Sequence, residues 1–227
     1  MYVVAAPHPA SIKIMDSQDR FPIHRIYCVG RNYAEHAREM GHEASRDKPI
    51  FFMKPADAVC QTAVISYPVG TNLLHHEVEW VVALGIGGSN ISVEQALSHV
   101  YGYAIGLDLT RRDLQIEAKS KGQPWDLAKG FDNSAPISPL IPATVIGHPQ
   151  KGRLTLKING LLVQSCDIQE MIFSVPEIIS SLSQWFELKA GDLIFTGTPQ
   201  GVGPLNPGDL FVAHFSGMPE WSACISK

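Results

Sequence analysis

Residues 77–88, "EVEWVVALGIGG", running from Glu77 to Gly88, decide how the rest of the chain is read. β-Branched and aromatic side chains crowd the run and glycines close it, which selects a strand over a helix. On a strand, Glu77 and Glu79 stand two apart and share a face, while Val78 and Trp80 point the other way. Two like charges on one face repel and are costly to desolvate unless a cation or a proton joins them. For an arbitrary E-x-E the ordinary reading is a solvent-facing strand end. Here the apolar run that follows makes a solvated face hard to sustain.

A third carboxylate strengthens the cation reading. Asp108 interrupts "YGYAIGLDLT" (101–110), a strand-like run of apolar and small residues, and a lone aspartate in a buried strand needs a partner. Three oxygen ligands with open positions suit Mg²⁺, whereas zinc prefers nitrogen or sulfur. His75 and His76 precede the glutamates, but neighbours on a strand face opposite ways and cannot easily share one ion; each is read as structural or supporting.

Outward from this pair the chain keeps a strand-rich rhythm. "RIYCV" (25–29) is a short apolar strand ending at Gly30, "NYAEHAREMG" (32–41) a helix stopped by Gly41, and "IFFMKP" (50–55) a strand closed by proline. A short helix is expected after Ser92 as N-cap, with "VEQALSHV" (93–100) as its body. "RRDLQIEAKSKG" (111–122) reads as a helix ended by Gly122, and the proline-rich 123–143 as irregular. "RLTLKI" and "LLVQSC" flank Asn159-Gly160, a tight-turn hairpin signal. Ser174 and Glu177 are placed as the capping box of a helix through "SVPEIISSLSQWF" (174–186). Residues 191–215 alternate strands with glycine-proline turns. The sum is a strand-dominated α+β domain over 25–227, preceded by an extension, 1–24, suited to packing on a neighbour.

A chain of 227 residues, 45% hydrophobic, can bury one sizeable core. Its net charge of -4 favours neither nucleic acid nor an anionic membrane, and the basic cluster at 109–122 is interleaved with acids. No run approaches the ~18 apolar residues of a membrane span, and the amino terminus has no basic leader, so a cytoplasmic location is expected. The four scattered cysteines, Cys28, Cys60, Cys166 and Cys224, read as free thiols.

Two further signals are weak by themselves. His36 and Glu39 lie three apart on one helix face, where a carboxylate can orient an imidazole and raise its basicity; from spacing alone an ordinary surface pair is preferred. Lys129 sits in the glycine-flanked "DLAKGFDNS" (126–134), though most lysines are simply solvated. "TGTPQGVGP" (196–204) lacks the ending of a phosphate-binding loop, and a structural turn is its default reading.

Taken in order, "CVGRNYAEHAREMG", "FFMKP", "LHHEVEWVVALG", "GYAIGLDLTRRDLQIEAKSKGQPWDLAKGFDNSAPIS", "MIFSVPEIIS" and "GDLIFTGTPQGVGP" resemble the fumarylacetoacetate hydrolase family. The likeness is greatest to its compact single-domain members, the fumarylpyruvate hydrolases and acylpyruvases, and runs from Arg25 to about Phe215. It implies a mixed β-roll with peripheral helices, usually a homodimer. It also implies Mg²⁺, or Mn²⁺, held by Glu77, Glu79 and Asp108, and a water-activating pair at His36 and Glu39. Lys129 would then contact substrate and steady oxyanionic charge, with Arg31, Lys54, Gln115 and Thr198 lining the pocket.

The activity implied is Mg²⁺-dependent hydrolysis of a carbon–carbon bond in an acylpyruvate. The favoured substrate is fumarylpyruvate, cleaved to fumarate and pyruvate in aromatic-compound breakdown, because "FFMKPADAV" (51–59) resembles that segment in fumarylpyruvate-cleaving members. Oxaloacetate decarboxylation, dienoate isomerisation or hydration, and a non-catalytic binding protein keeping the fold are the alternatives.

Overall fold

Val78–Leu84 is buried along its whole length, on both faces. The computed structural model describes residues 2–6, 8–39, 41, 43 and 45–227. In it this strand lies inside a six-stranded mixed sheet, ordered Ile141–Pro142, Val100–Leu107, Val78–Leu84, Leu193–Phe195, Ile26–Gly30, Ile50–Lys54. All neighbours are antiparallel except Leu193–Phe195 beside Ile26–Gly30. A five-stranded sheet, ordered Leu161–Asp167, Arg153–Ile158, Leu210–Phe215, Trp221–Ser226, Val64–Ser66, packs against one face.

Strand alternation assigns the two faces. Val78, Trp80, Val82 and Leu84 meet the five-stranded sheet, where Leu154, Leu156, Phe211 and Phe215 point inward. Trp80 is the largest fully buried side chain; its ring lies 4.1 Å from that of Phe215 and stacks on Tyr103 at 5.1 Å. Trp80→Ala therefore empties the centre of the larger core and should lower unfolding free energy by about 3–5 kcal/mol, read as a fall in the urea midpoint at unchanged slope.

The opposite face carries Val81 and Ala83, joined by Cys28, Ala104, Leu193 and Phe195. A hairpin of Ser11–Lys13 and Arg20–Pro22 covers it, burying Ile12, Phe21 and Ile23 against this chain's own sheet. The face to which Glu77 and Glu79 belong is consequently interior at both ends of the strand.

The helices are few, short and peripheral. Arg112–Lys121 ends at Gly122 with φ +63°, and Val175–Ser183 begins with the Ser174 N–H donating to Glu177 Oε2 at 2.8 Å. Asn159 and Gly160, at φ +51° and +82°, turn the Arg153–Ile158/Leu161–Asp167 hairpin as their sequence requires. Ala34–Glu39 is the helix expected after Gly30; Met40, within the expected span, lies outside the described residues.

Two local readings change. The segment after Ser92 forms a 3₁₀ turn at Ala96–His99, with no cap at Ser92: few residues remain before the strand at Val100, and a 3₁₀ turn covers more length per residue than an α-helix. The irregular stretch contains one helical turn, Asp126–Lys129, which carries Lys129. The strand-dominated α+β class and its peripheral helices stand as read. No helix among the described residues is long and apolar enough to cross a membrane.

Candidate active site

The three carboxylates come together because two adjacent strands end together. Glu79 lies opposite Gly106 in the Val78–Leu84/Val100–Leu107 ladder, and beyond it the Asp108 N–H donates to the Glu77 carbonyl at 2.9 Å. One carboxylate oxygen from each of Glu77, Glu79 and Asp108 falls within 4.8 Å of the others, and all three residues are buried.

Cations crowd this cluster. Lys129 Nζ donates to Glu77 Oε2 at 2.8 Å, Asp108 Oδ2 at 2.6 Å and Thr110 Oγ1 at 2.7 Å. Arg112 pairs with the other oxygen of Glu77. Burial pushes the Glu77 carboxyl up, but Lys129 and Arg112 outweigh it and hold the group well below the ordinary carboxylate range. Glu79 goes the other way: burial first, then Asp108 and Glu77, drive it well above, and the Gly197 N–H, at 2.7 Å, and the Lys129 charge only partly offset them. Lys129 stays charged, because Asp108 and Glu77 overcome the burial that would lower it.

Asp108 Oδ1 is the test of whether a metal belongs here. Lys54 Nζ approaches to 2.8 Å, yet at an angle that makes no hydrogen bond, so the oxygen is buried without a donor. Lys54 instead donates to the carbonyls of Leu109, at 3.1 Å, and Lys129. A buried, undonated carboxylate oxygen beside two more carboxylates is a hard-donor set, and it fits a divalent cation such as Mg²⁺ or Mn²⁺.

A cavity opens over the triad. Arg31, His36, Gln115, Lys129 and Thr198 line it together with the three carboxylates, so residues scattered over more than 160 positions meet in one place. His36 is buried, and its Nδ1 lies 3.2 Å from Glu39 Oε2; Glu39 is partly exposed and takes the Gly201 N–H on its other oxygen at 3.1 Å. Glu39 and Lys54 stand behind the wall rather than in it: the first touches His36, the second braces Asp108.

The 196–204 segment is more than a turn. Gly197 and Gly201 adopt φ +96° and +89°, where a Cβ would lie 2.7 Å from Asn32 Cβ and 2.1 Å from the Val163 carbonyl oxygen. Glycine at these two positions lets one amide reach Glu79 and the other reach Glu39. Between them Thr198 donates to the Val78 carbonyl at 2.8 Å and accepts from Gln164 Nε2 at 2.9 Å. Gln164 Oε1 also receives the Val78 N–H at 3.0 Å and lies 2.9 Å from His76 Nδ1, which gives His76 a supporting place behind the site. Burial, then Arg112, lowers His75 to about 4, so this histidine is neutral beside the guanidinium.

Arg112 was missed by sequence reasoning. It is buried, lines the cavity, and ties Glu77, Gln115 and His75 together. Its only sequence signal is a second arginine in "TRRD", directly after a strand that ends in a buried aspartate. Phe52, Trp125 and Lys119 also line the wall, and their sequence context carries no signal of it.

A family model described as Fumarylacetoacetate (FAA) hydrolase C-terminal matches residues 25–226. The oxaloacetate tautomerase of Escherichia coli is 42% identical over 199 residues, covering 87% of this chain and 90% of its own. The mitochondrial oxaloacetate tautomerase of Bos taurus is 44% identical over 194 residues, covering 85% and 87%. Among solved structures, fumarylpyruvate hydrolase from Pseudomonas aeruginosa in complex with Mn²⁺ and pyruvate matches with a TM-score of 0.97 at 47% identity, over 100% of this chain and 99% of that one.

Proposed function

The chain belongs to the fumarylacetoacetate hydrolase family, and from that premise we propose that it hydrolyses the carbon–carbon bond of an acylpyruvate, with fumarylpyruvate as the substrate. One observation carries the choice of hydrolysis: a buried histidine, oriented by a carboxylate at 3.2 Å, stands in the same cavity wall as the three carboxylates. Glu39 accepts a hydrogen bond from the His36 Nδ1–H, which leaves Nε2 with a lone pair for a water molecule.

His36 takes a proton from that water, and the water oxygen bonds to the distal acyl carbon. The carbonyl π pair moves onto its oxygen and returns as the bond from that carbon to the pyruvate methylene breaks; the released pair passes into the pyruvate enolate, whose methylene carbon takes up the proton that His36 holds, completing fumarate and pyruvate. Lys129, kept charged by Asp108 and Glu77, faces the negative charge as it develops. Glu77, Glu79 and Asp108 would hold a divalent cation, which would supply further electron withdrawal at the 2-oxo acid end.

Oxaloacetate tautomerisation is the second reading, favoured by the names of the Escherichia coli and Bos taurus relatives. It moves one proton and needs no attacking water. Turnover of fumarylpyruvate in heavy-oxygen water with Mg²⁺ separates the two: hydrolysis places one solvent oxygen in the fumarate carboxylate. Rapid oxaloacetate keto–enol conversion with no release of fumarate would decide for the tautomerase.

A further inference from the structure

The cavity holds more positive charge than its carboxylates absorb. Lys129 and Arg112 are paired with Glu77 and Asp108, and Lys54 lies against Asp108. Two other cations line the wall, Lys119 and Arg31, and among the described residues neither has an ion-pair or hydrogen-bond partner. Any divalent cation at the triad adds to that surplus.

Lys119 is held toward the cavity by its neighbours. Arg112, Gln115 and Lys119 are spaced three and four apart on the Arg112–Lys121 helix and present one face, and all three line the cavity. Lys119 Nζ lies 5.3 Å from the centre of the Trp125 ring; Trp125 meets Phe52 edge-on at 5.9 Å, and Phe52 lies 5.0 Å from Lys129 Nζ. The aromatic pair thus separates the ammonium at the mouth from the one at the triad. From Arg112 to Lys119 the helix rises about 10 Å, a span suited to an elongated substrate with an anionic group at each end.

We infer that Lys119, with Arg31, is the anchor for the far carboxylate of a dicarboxylic substrate, and so a specificity-determining residue. The inference deepens the acylpyruvate reading and rests on it for the orientation of the 2-oxo acid end at the triad. Holding the cations together without an anion is costly: burial first, then Arg112 and Arg31, pull the Lys119 ammonium below the ordinary lysine value. A carboxylate arriving between Lys119 and Arg31 relieves this repulsion and forms charge-assisted hydrogen bonds. A methyl group there leaves both cations unmatched.

The test is calorimetric titration of the Mn²⁺-loaded protein with 2-oxoadipate and 2-oxohexanoate. Neither has the scissile dicarbonyl, and they differ in whether the far end is a carboxylate or a methyl group. Wild type is expected to prefer the diacid by roughly 10–100-fold. Lys119→Met keeps the apolar stem over Trp125 and should cut that preference about tenfold, with Lys119→Arg retaining most of it. An identical preference in wild type and Lys119→Met overturns the inference, as does a proportional loss for both acids. Because no turnover is measured, a Lys119-dependent diacid preference in a protein that fails to cleave fumarylpyruvate would remove the hydrolase reading and leave the subsite standing.

Discussion

Asp108→Asn is expected to lose tight Mn²⁺ or Mg²⁺ binding and, with it, most turnover, and to destabilise the metal-free fold by about 3 kcal/mol. The stability loss follows from the cations left behind. Lys54 and Lys129 both converge on this carboxylate, and removing one partner of a buried ionic cluster strands the other in a medium that solvates it poorly. Glu79→Gln should likewise abolish metal binding, yet with the opposite effect on the metal-free fold. Among the described residues Glu79 has no ion-pair partner: burial, Asp108 and Glu77 oppose its charged form more than Lys129 favours it, and a neutral amide at that position removes the repulsion. Titration calorimetry with Mn²⁺, beside urea unfolding in a chelator, measures both quantities. If Asp108→Asn proved no less stable than Glu79→Gln, the placing of the two lysines around Asp108 would be wrong.

That contrast was beyond the reach of the sequence, although the triad itself was not. "EVEWVVALGIGG" and "YGYAIGLDLT" are strands by composition, and alternation puts Glu77 and Glu79 on one face without any knowledge of the partner. Asn159-Gly160 and the Ser174/Glu177 capping box are local signals with local causes, and they fold as read. The parallel pairing of Leu193–Phe195 with Ile26–Gly30 has no local signature; it is set by which faces need burying once every strand exists. The amino-terminal hairpin shows the same limit. Its burial of Ile12 and Phe21 on the carboxylate-bearing face depends on that sheet being in place.

The site divides along the same line. Carboxylates in apolar strands are conspicuous, because the cost of burying them demands an explanation. Basic residues on a helix are not, because most are solvated, and so nothing in the basic cluster at 109–122, interleaved with acids, marks out Arg112 and Lys119. Only the fold shows that Arg112, Gln115 and Lys119 turn inward while Ile116 and Glu117 stay out. Lys54 illustrates the converse. Its strand "IFFMKP" is legible, and the resemblance implies a pocket-lining lysine, but its position behind Asp108, hydrogen-bonded to two carbonyls, depends on the chain returning at Leu109 and Lys129.

His36→Ala should lower kcat for fumarylpyruvate by about 10²–10⁴, the usual contribution of a positioned general base. Mn²⁺ affinity should stay near wild type, since His36 contributes no oxygen to the triad. The fold should tolerate the change as well: the side chain lies on a six-residue peripheral helix outside both apolar cores. Glu39→Gln keeps the histidine, but with the amide oxygen on the Gly201 N–H its NH2 faces Nδ1 and favours the tautomer that carries the proton on Nε2, so a fall of about 10²-fold, no larger than that of His36→Ala, is expected there. The ordering of the two variants carries the argument. A base and its orienting carboxylate act as one unit, so the double variant should be little worse than His36→Ala alone. Additive losses would mean that the pair acts separately, and fumarate release undiminished in His36→Ala would remove water activation from this histidine altogether.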